Sequence, residues 1–316
     1  MIALKTHYKR RFRLTIELCA LVICLTILIK EWSVIVDALE DIRNSNTRML
    51  LHASLLYWLI VPLTAVSYLL LSPVKLSLNK LILAVIAGSG PGRLVPGGFG
   101  LLSIATLQMQ RQGLPTRLAF LISATNNFIG ALIGLTVLVL SSIINPQPLL
   151  QLINQLPFLQ ILVFLTCAVL LTALFILVRR FKTDKQKQQQ DKKQLQAFLV
   201  HNTSSTFRLI WLCLIASIIL LCNVLILALV ARATHTPIGF YQAIVTLSVG
   251  VMIGSIIPTP GGVGGVEIGI ASALVLLGFT PKDATTIAFG YRFITFFQPL
   301  IPGLLAYIYL RHKKEI

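Results

Sequence analysis

The chain has 316 residues, of which 56% are hydrophobic and only 12% charged. A soluble protein of this size carries about 25% charged residues, so a soluble enzyme or soluble binding module is excluded. The formal net charge of +17 would suggest nucleic acid in a soluble protein. Here the basic residues occupy short segments between apolar runs, the pattern of membrane-topology determinants. No nucleic-acid-binding motif is present, and no nucleic acid is expected as a partner.

The basic stretch "KTHYKRRFR" leads into an apolar run from Leu14 to Ile29. No small-residue cleavage site follows, so the run reads as an uncleaved first span. Further apolar runs predict full spans at about 50–71, 118–143, 158–178, 207–231 and 284–309, with the first at 14–30. All six should be helices, because a helix satisfies its own backbone hydrogen bonds in lipid. Five cysteines (Cys19, Cys24, Cys167, Cys213 and Cys222) fall inside these runs without metal-ligand spacing, and read as small apolar residues.

Two regions break the pattern. Region 76–110 is interrupted by "GSGPGRLVPGGFG" and region 240–278 by "PTPGGVGGVE". If each is a hairpin that returns to the side it entered from, twenty of the 27 Lys and Arg fall on the inner side and five on the outer side; Arg93 and Arg292 remain within apolar segments. That is a strong positive-inside bias. The expectation is an all-α polytopic membrane protein with six full spans and two oppositely oriented re-entrant helical hairpins. Both termini are then cytoplasmic. The arms of 76–110 are too short to cross a membrane; those of 240–278 are long enough that a ten-span arrangement stays open, with the same loop orientations. The whole of 1–316 reads as one integral membrane domain. A first half, 50–178, contains hairpin 76–110, and a second half, 207–310, contains hairpin 240–278. The polar tract between them, 179–206, reads as a cytoplasmic linker.

The two breaks resemble one another. "PGGFGLLSI" from Pro96 and "PGGVGGVEI" from Pro260 share Pro, Gly, Gly, Gly and Ile at a constant offset of 164 residues. Further on, Gly113 pairs with Gly278 and Pro115 with Pro281 once insertions are allowed. Similar motifs in hairpins of opposite orientation suggest inverted repeats, a transporter plan in which broken helices meet near the bilayer midplane.

A helix restarting after "PGG" presents free N–H groups and a partial positive charge, which suits phosphate or carboxylate. This nominates Gly97, Gly98, Gly261, Gly262 and Gly264, with Arg93 as a cationic phosphate contact. Glu267 and Arg292 lie at equal depth on either side of the turn at 278–283 and could pair. Each alone would cost about 2.5–3.5 kcal/mol at the bilayer centre. Two roles stay open for them: a structural ion pair, or a headgroup or proton site. Ser103, Asn126, Asn127 and Tyr291 are candidates to line the same cavity. The GxxxG pairs Gly130/Gly134, Gly250/Gly254 and Gly261/Gly265 are better read as helix packing. Pro299, Pro302 and Gly303 suggest a kink in the last span. No H-E-x-x-H, G-x-S-x-G or Walker A motif occurs. No metal, cofactor or ATP-driven step is therefore expected, and the chain is read as a non-enzyme.

"PTPGGVGGVE", "YRFITFFQPLIPG" and the upstream "PGGFG" after "LSLNKLILAVIAG" resemble the lysylphosphatidylglycerol synthase transmembrane-region family, which includes the flippase domain of the multiple peptide resistance factor. The resemblance spans about 10–310. It implies a prokaryotic cytoplasmic-membrane protein that moves lipids, either phospholipids or lipid-linked saccharides. No soluble aminoacyl-transferase domain follows, so lipid aminoacylation is not implied. The family often carries an acid after the first "PG" turn; here the positions read Gly100, Leu101, Leu102 and Ser103. Expected partners are membrane lipids, with lipid-linked sugars, glycosyltransferases and a second copy of the chain as further candidates. A membrane-embedded enzyme or an accessory subunit in envelope biosynthesis is the alternative, as is a scaffold working through its loops.

Overall fold

The computed structural model describes residues 45–94, 99–155, 206–256 and 261–313. The predicted spans 14–30 and 158–178, the linker up to residue 205, and Gly97 and Gly98 lie outside the described residues. In chain order the helices are α1 (Thr47–Leu71), α2 (Leu78–Ser89), α3 (Phe99–Arg111), α4 (Thr116–Ile144), α5 (Gln147–Gln155), α6 (Thr206–Ala233), α7 (Phe240–Ile256), α8 (Gly265–Leu276), α9 (Pro281–Arg292) and α10 (Leu300–His312). A 3-10 turn, Pro91–Leu94, follows α2, and a π-helical segment, Phe293–Phe297, joins α9 to α10. Every described element is helical.

Four helical stretches are long and apolar enough to cross a membrane: α1, α4, α6 and the composite Pro281–His312. These match four of the six predicted spans. Between them, α2 and α8 have only 12 residues each, about 18 Å at 1.5 Å per residue. That is short of a hydrocarbon core of about 30 Å.

Local chemistry sets the helix ends. Asn46 caps α1 by accepting from the Arg48 amide at 3.1 Å, an N-cap bond that satisfies an orphan donor. Thr280 does the same for α9 through the Asp283 amide, and Pro281 follows at the first helical position. Gly113 and Gly278 end α3 and α8 in the left-handed region, at φ +95° and +96°. At both ends a 6→1 bond closes the turn: Leu114 N–H donates to Met109 C=O and Phe279 N–H to Leu274 C=O, each at 3.1 Å. This is the Schellman arrangement, in which glycine avoids a Cβ clash.

The kink expected at Pro299 and Pro302 appears one turn earlier, as the π segment. Pro299 has no N–H, and its ring crowds the carbonyl four residues back. The helix widens before it, and the Gln298 N–H donates five residues back to Phe293 C=O at 2.8 Å.

The packing forms two large clusters. Ala53 and Tyr57 of α1 join buried residues of α6 to α9, including Ile270, Leu274, Ile287 and Tyr291. The other half of α1, from Val61 to Leu71, joins α2, α3 and α4. A third, small cluster seats Ala84, Ala87 and Ile104 against Ala306 and Leu310 of α10.

Glycines bring α7 and α8 together. A Cβ on Gly250 would lie 2.5 Å from Ile270 Cγ1, and one on Gly269 would lie 2.8 Å from Gly250 Cα. A Cβ on Gly254 would meet Val266 Cγ2. The Gly250/Gly254 pair therefore packs as expected. For Gly130 and Gly134 no heavy atom of the described residues lies within 4 Å of a Cβ built on either.

Candidate functional site

The break between α7 and α8 resumes at Gly261. Gly261, Gly262 and Gly264 have φ of +65°, +67° and +85°, positive values that cost other residues about 1–3 kcal/mol each. Three such turns in four residues reverse the chain and start α8 immediately. Glu267 then falls in the first turn of α8, where the helix dipole favours a negative charge.

Glu267 and Arg292 form a buried ion pair. Arg292 Nε donates to Glu267 Oε1 at 2.8 Å. The two residues are 7% and 6% exposed. The second carboxylate oxygen, Oε2, accepts from the Gly264 amide at 2.9 Å. This is half of a capping box; glycine has no side chain to supply the other half. Arg292 Nη2 donates to the Gly261 carbonyl at 2.9 Å, and its guanidinium carbon lies 4.5 Å above the Phe296 ring. The π segment places Phe296 there. One carboxylate and one guanidinium thus tie both ends of the glycine turn to the last span. Nη1 takes part in neither bond.

The remaining nominated residues divide. Tyr291 is buried, and its hydroxyl donates to Asn223 Oδ1 of α6 at 3.2 Å. Asn223 Nδ2 in turn donates to Ile219 C=O at 2.8 Å. Asn126 bonds to Ser67 of α1 at 2.6 Å, within the first-half packing. Ser103 and Asn127 are exposed on α3 and α4. Arg93 lies in the 3-10 turn after α2, with its side chain outside the described residues. Asn223, Phe296 and Gln298 were not nominated from sequence. Asn223 is the only carboxamide in α6, and an isolated polar residue in an apolar run is the signal that marks it. Gln298 donates from Nε2 to Ser54 Oγ of α1. That bond borders an apolar groove of about 290 Å³ between α1 and the last span, lined by Leu50, Leu51, Gly290, Phe293 and Ile294. No group of three His, Cys, Asp or Glu suited to a metal occurs among the described residues.

Long apolar helices, short broken helices between them and an ion pair buried at one break define a multi-pass α-helical membrane protein. The family model described as Lysylphosphatidylglycerol synthase TM region matches residues 15–303. The chain belongs to that family, whose description connects it with lipid handling in membranes. No curated protein and no solved structure matches it.

Proposed function

We propose that the protein is a lipid flippase-like transporter of a prokaryotic cytoplasmic membrane, moving a phospholipid or a lipid-linked saccharide. The observation that carries this reading is the Glu267–Arg292 pair fastened to the Gly261–Gly264 turn. A buried charge pair costs more to desolvate than it returns unless its geometry is good, and well-packed apolar residues would serve stability as well or better. Its placement at a broken helix fits a site that meets a polar headgroup. Arg292 holds the turn through Nε and Nη2, which leaves the Nη1 donors to meet a phosphate oxygen.

Several features support an inverted repeat with two re-entrant hairpins. α2 and α8 are too short to span. Gly113 and Gly278 end the second arm of each broken region with the same left-handed turn. The Lys and Arg bias puts both termini and the 179–206 linker inside. In this arrangement the headgroup crosses between the hairpins while the acyl or prenyl tails stay in lipid. The Gly97–Gly98 and Gly261–Gly264 tips and Arg93 contact the headgroup phosphate.

The test is transport in liposomes. Purified protein is reconstituted with a fluorescent phospholipid or a fluorescent lipid-linked saccharide, and outer-leaflet label is quenched. Wild type should expose inner-leaflet lipid to the quencher. Glu267→Gln and Arg292→Ala should slow this at least tenfold. Folded mutants that transport at the wild-type rate would sink the assignment.

A further inference from the structure

We propose that Gln108 and Gln112 form a buried hydroxyl-binding site at the foot of the α2–α3 pair, which takes either a bound water or a lipid-headgroup hydroxyl. Gln108 is 0% exposed. Neither its Nε2 nor its Oε1 has a hydrogen-bond partner, and Gln112 Nε2 is buried and unpartnered as well. Neighbouring residues of α3 pack in apolar clusters. Ile104, one turn earlier on α3, packs on Ala84, Ala87, Ala306 and Leu310. Ala105 and Met109 belong to the first-half cluster. A primary amide left dry in such a place carries its full desolvation penalty, so its partner is a bound molecule.

The chemistry of that molecule follows from the unpaired atoms. Gln112 Oε1 already accepts from the Ser77 amide at 2.6 Å. This fixes the orientation of its amide and leaves Nε2 as a donor. Gln108 offers one donor and one acceptor. Gln112 directly follows α3, four residues after Gln108; residues at that spacing on a helix are about 6 Å apart between Cβ atoms, and the proposed group bridges the two amides. Phosphate oxygen only accepts, and would leave Gln108 Oε1 unmet. An ammonium only donates, and would leave both Nε2 groups unmet. A hydroxyl both donates and accepts, and satisfies all three. Water and a sugar or glycerol hydroxyl share this chemistry. The site is separate from the Glu267–Arg292 pair and does not depend on the transport reading.

The sign of a stability change tests the site. Leucine is close in volume to glutamine and removes the amide. If the amides are dry, Gln108→Leu removes unsatisfied groups and raises Tm. If a hydroxyl bridges them, the change strands Gln112 Nε2, and Tm falls by about 2–4 °C. Unfolding is measured in detergent, in phosphatidylcholine nanodiscs, and in the same nanodiscs with a glycosyl diacylglycerol. A fall in all three identifies water. A fall only with the glycolipid identifies a headgroup hydroxyl. A rise, or no change, in all three overturns the site. Gln108→Met repeats the measurement should the leucine variant not fold. Gln108→Leu and Gln112→Leu together should cost less than the sum of the two, because both lose one ligand; strict additivity also overturns the proposal.

Discussion

Gly90 and Gly303 meet backbone to backbone, where the end of α2 crosses the first turn of α10. A Cβ on Gly303 would lie 2.6 Å from Gly90 Cα and 2.7 Å from the Ile86 carbonyl oxygen. Eleven residues earlier, the same span holds the other break through Arg292 and Gly261. One helical span therefore touches both broken regions, with the π segment between the two contacts. Gly303→Ala must push α2 away from α10, since backbone cannot yield as a side-chain tip does. Overpacking of this kind costs about 1–3 kcal/mol. Thermal unfolding should show a lower Tm for Gly303→Ala and none of that loss for Gly130→Ala, where a Cβ meets no described residue within 4 Å. Equal Tm values for Gly303→Ala and wild type would remove the contact from the account.

The ion pair makes a prediction about single and paired changes. Arg292→Ala strands the Glu267 carboxylate, and Glu267→Gln strands the Arg292 cation. Removing one partner of a buried pair costs about 3–5 kcal/mol. Glu267→Gln combined with Arg292→Met leaves no buried charge and should recover part of that loss. A double mutant as unstable as the sum of the two would mean that the charges are not coupled.

Two glycines only ten residues apart should respond to alanine for different reasons. Gly264 has φ +85° and ψ −46° and no described neighbour within 4 Å of a Cβ, so Gly264→Ala costs the backbone strain, about 1–3 kcal/mol for a sparsely populated conformation. Gly254 has ordinary helical dihedrals, but its Cβ would strike Val266. Val266→Ala should therefore rescue Gly254→Ala and leave Gly264→Ala unrescued. Equilibrium unfolding of the four variants distinguishes strain from collision.

The membrane arrangement is checked by labelling. In a cysteine-free background, Lys75→Cys places a thiol in the exposed connection between α1 and α2, and Lys282→Cys places one in the exposed first turn of α9. An impermeant maleimide applied to intact cells should modify position 282 and spare position 75 until the cells are opened. Labelling of both from the outside would reject the inverted-hairpin topology.

Much of this architecture was legible along the chain, because the terms that decide it are local. Twelve percent charge and apolar runs of span length require helices, since lipid offers no partner for an open backbone. Proline and glycine clusters mark the breaks, and both described helix pairs interrupt there. Counting turns from 278–283 placed Glu267 and Arg292 at one depth, and they are 2.8 Å apart. Which faces of the helices meet was not legible. α1, α6 and α8 carry their few polar residues without an amphipathic stripe, so no face points to a partner. Tertiary packing alone set Gly90 on Gly303, turned Asn126 toward Ser67 and not toward the ion pair, and paired Tyr291 with Asn223. It also buried Gln108 without a protein partner. These relationships join residues tens to hundreds of positions apart, and they follow from shape and hydrogen-bond satisfaction in three dimensions, which a one-dimensional pattern of apolar residues does not carry.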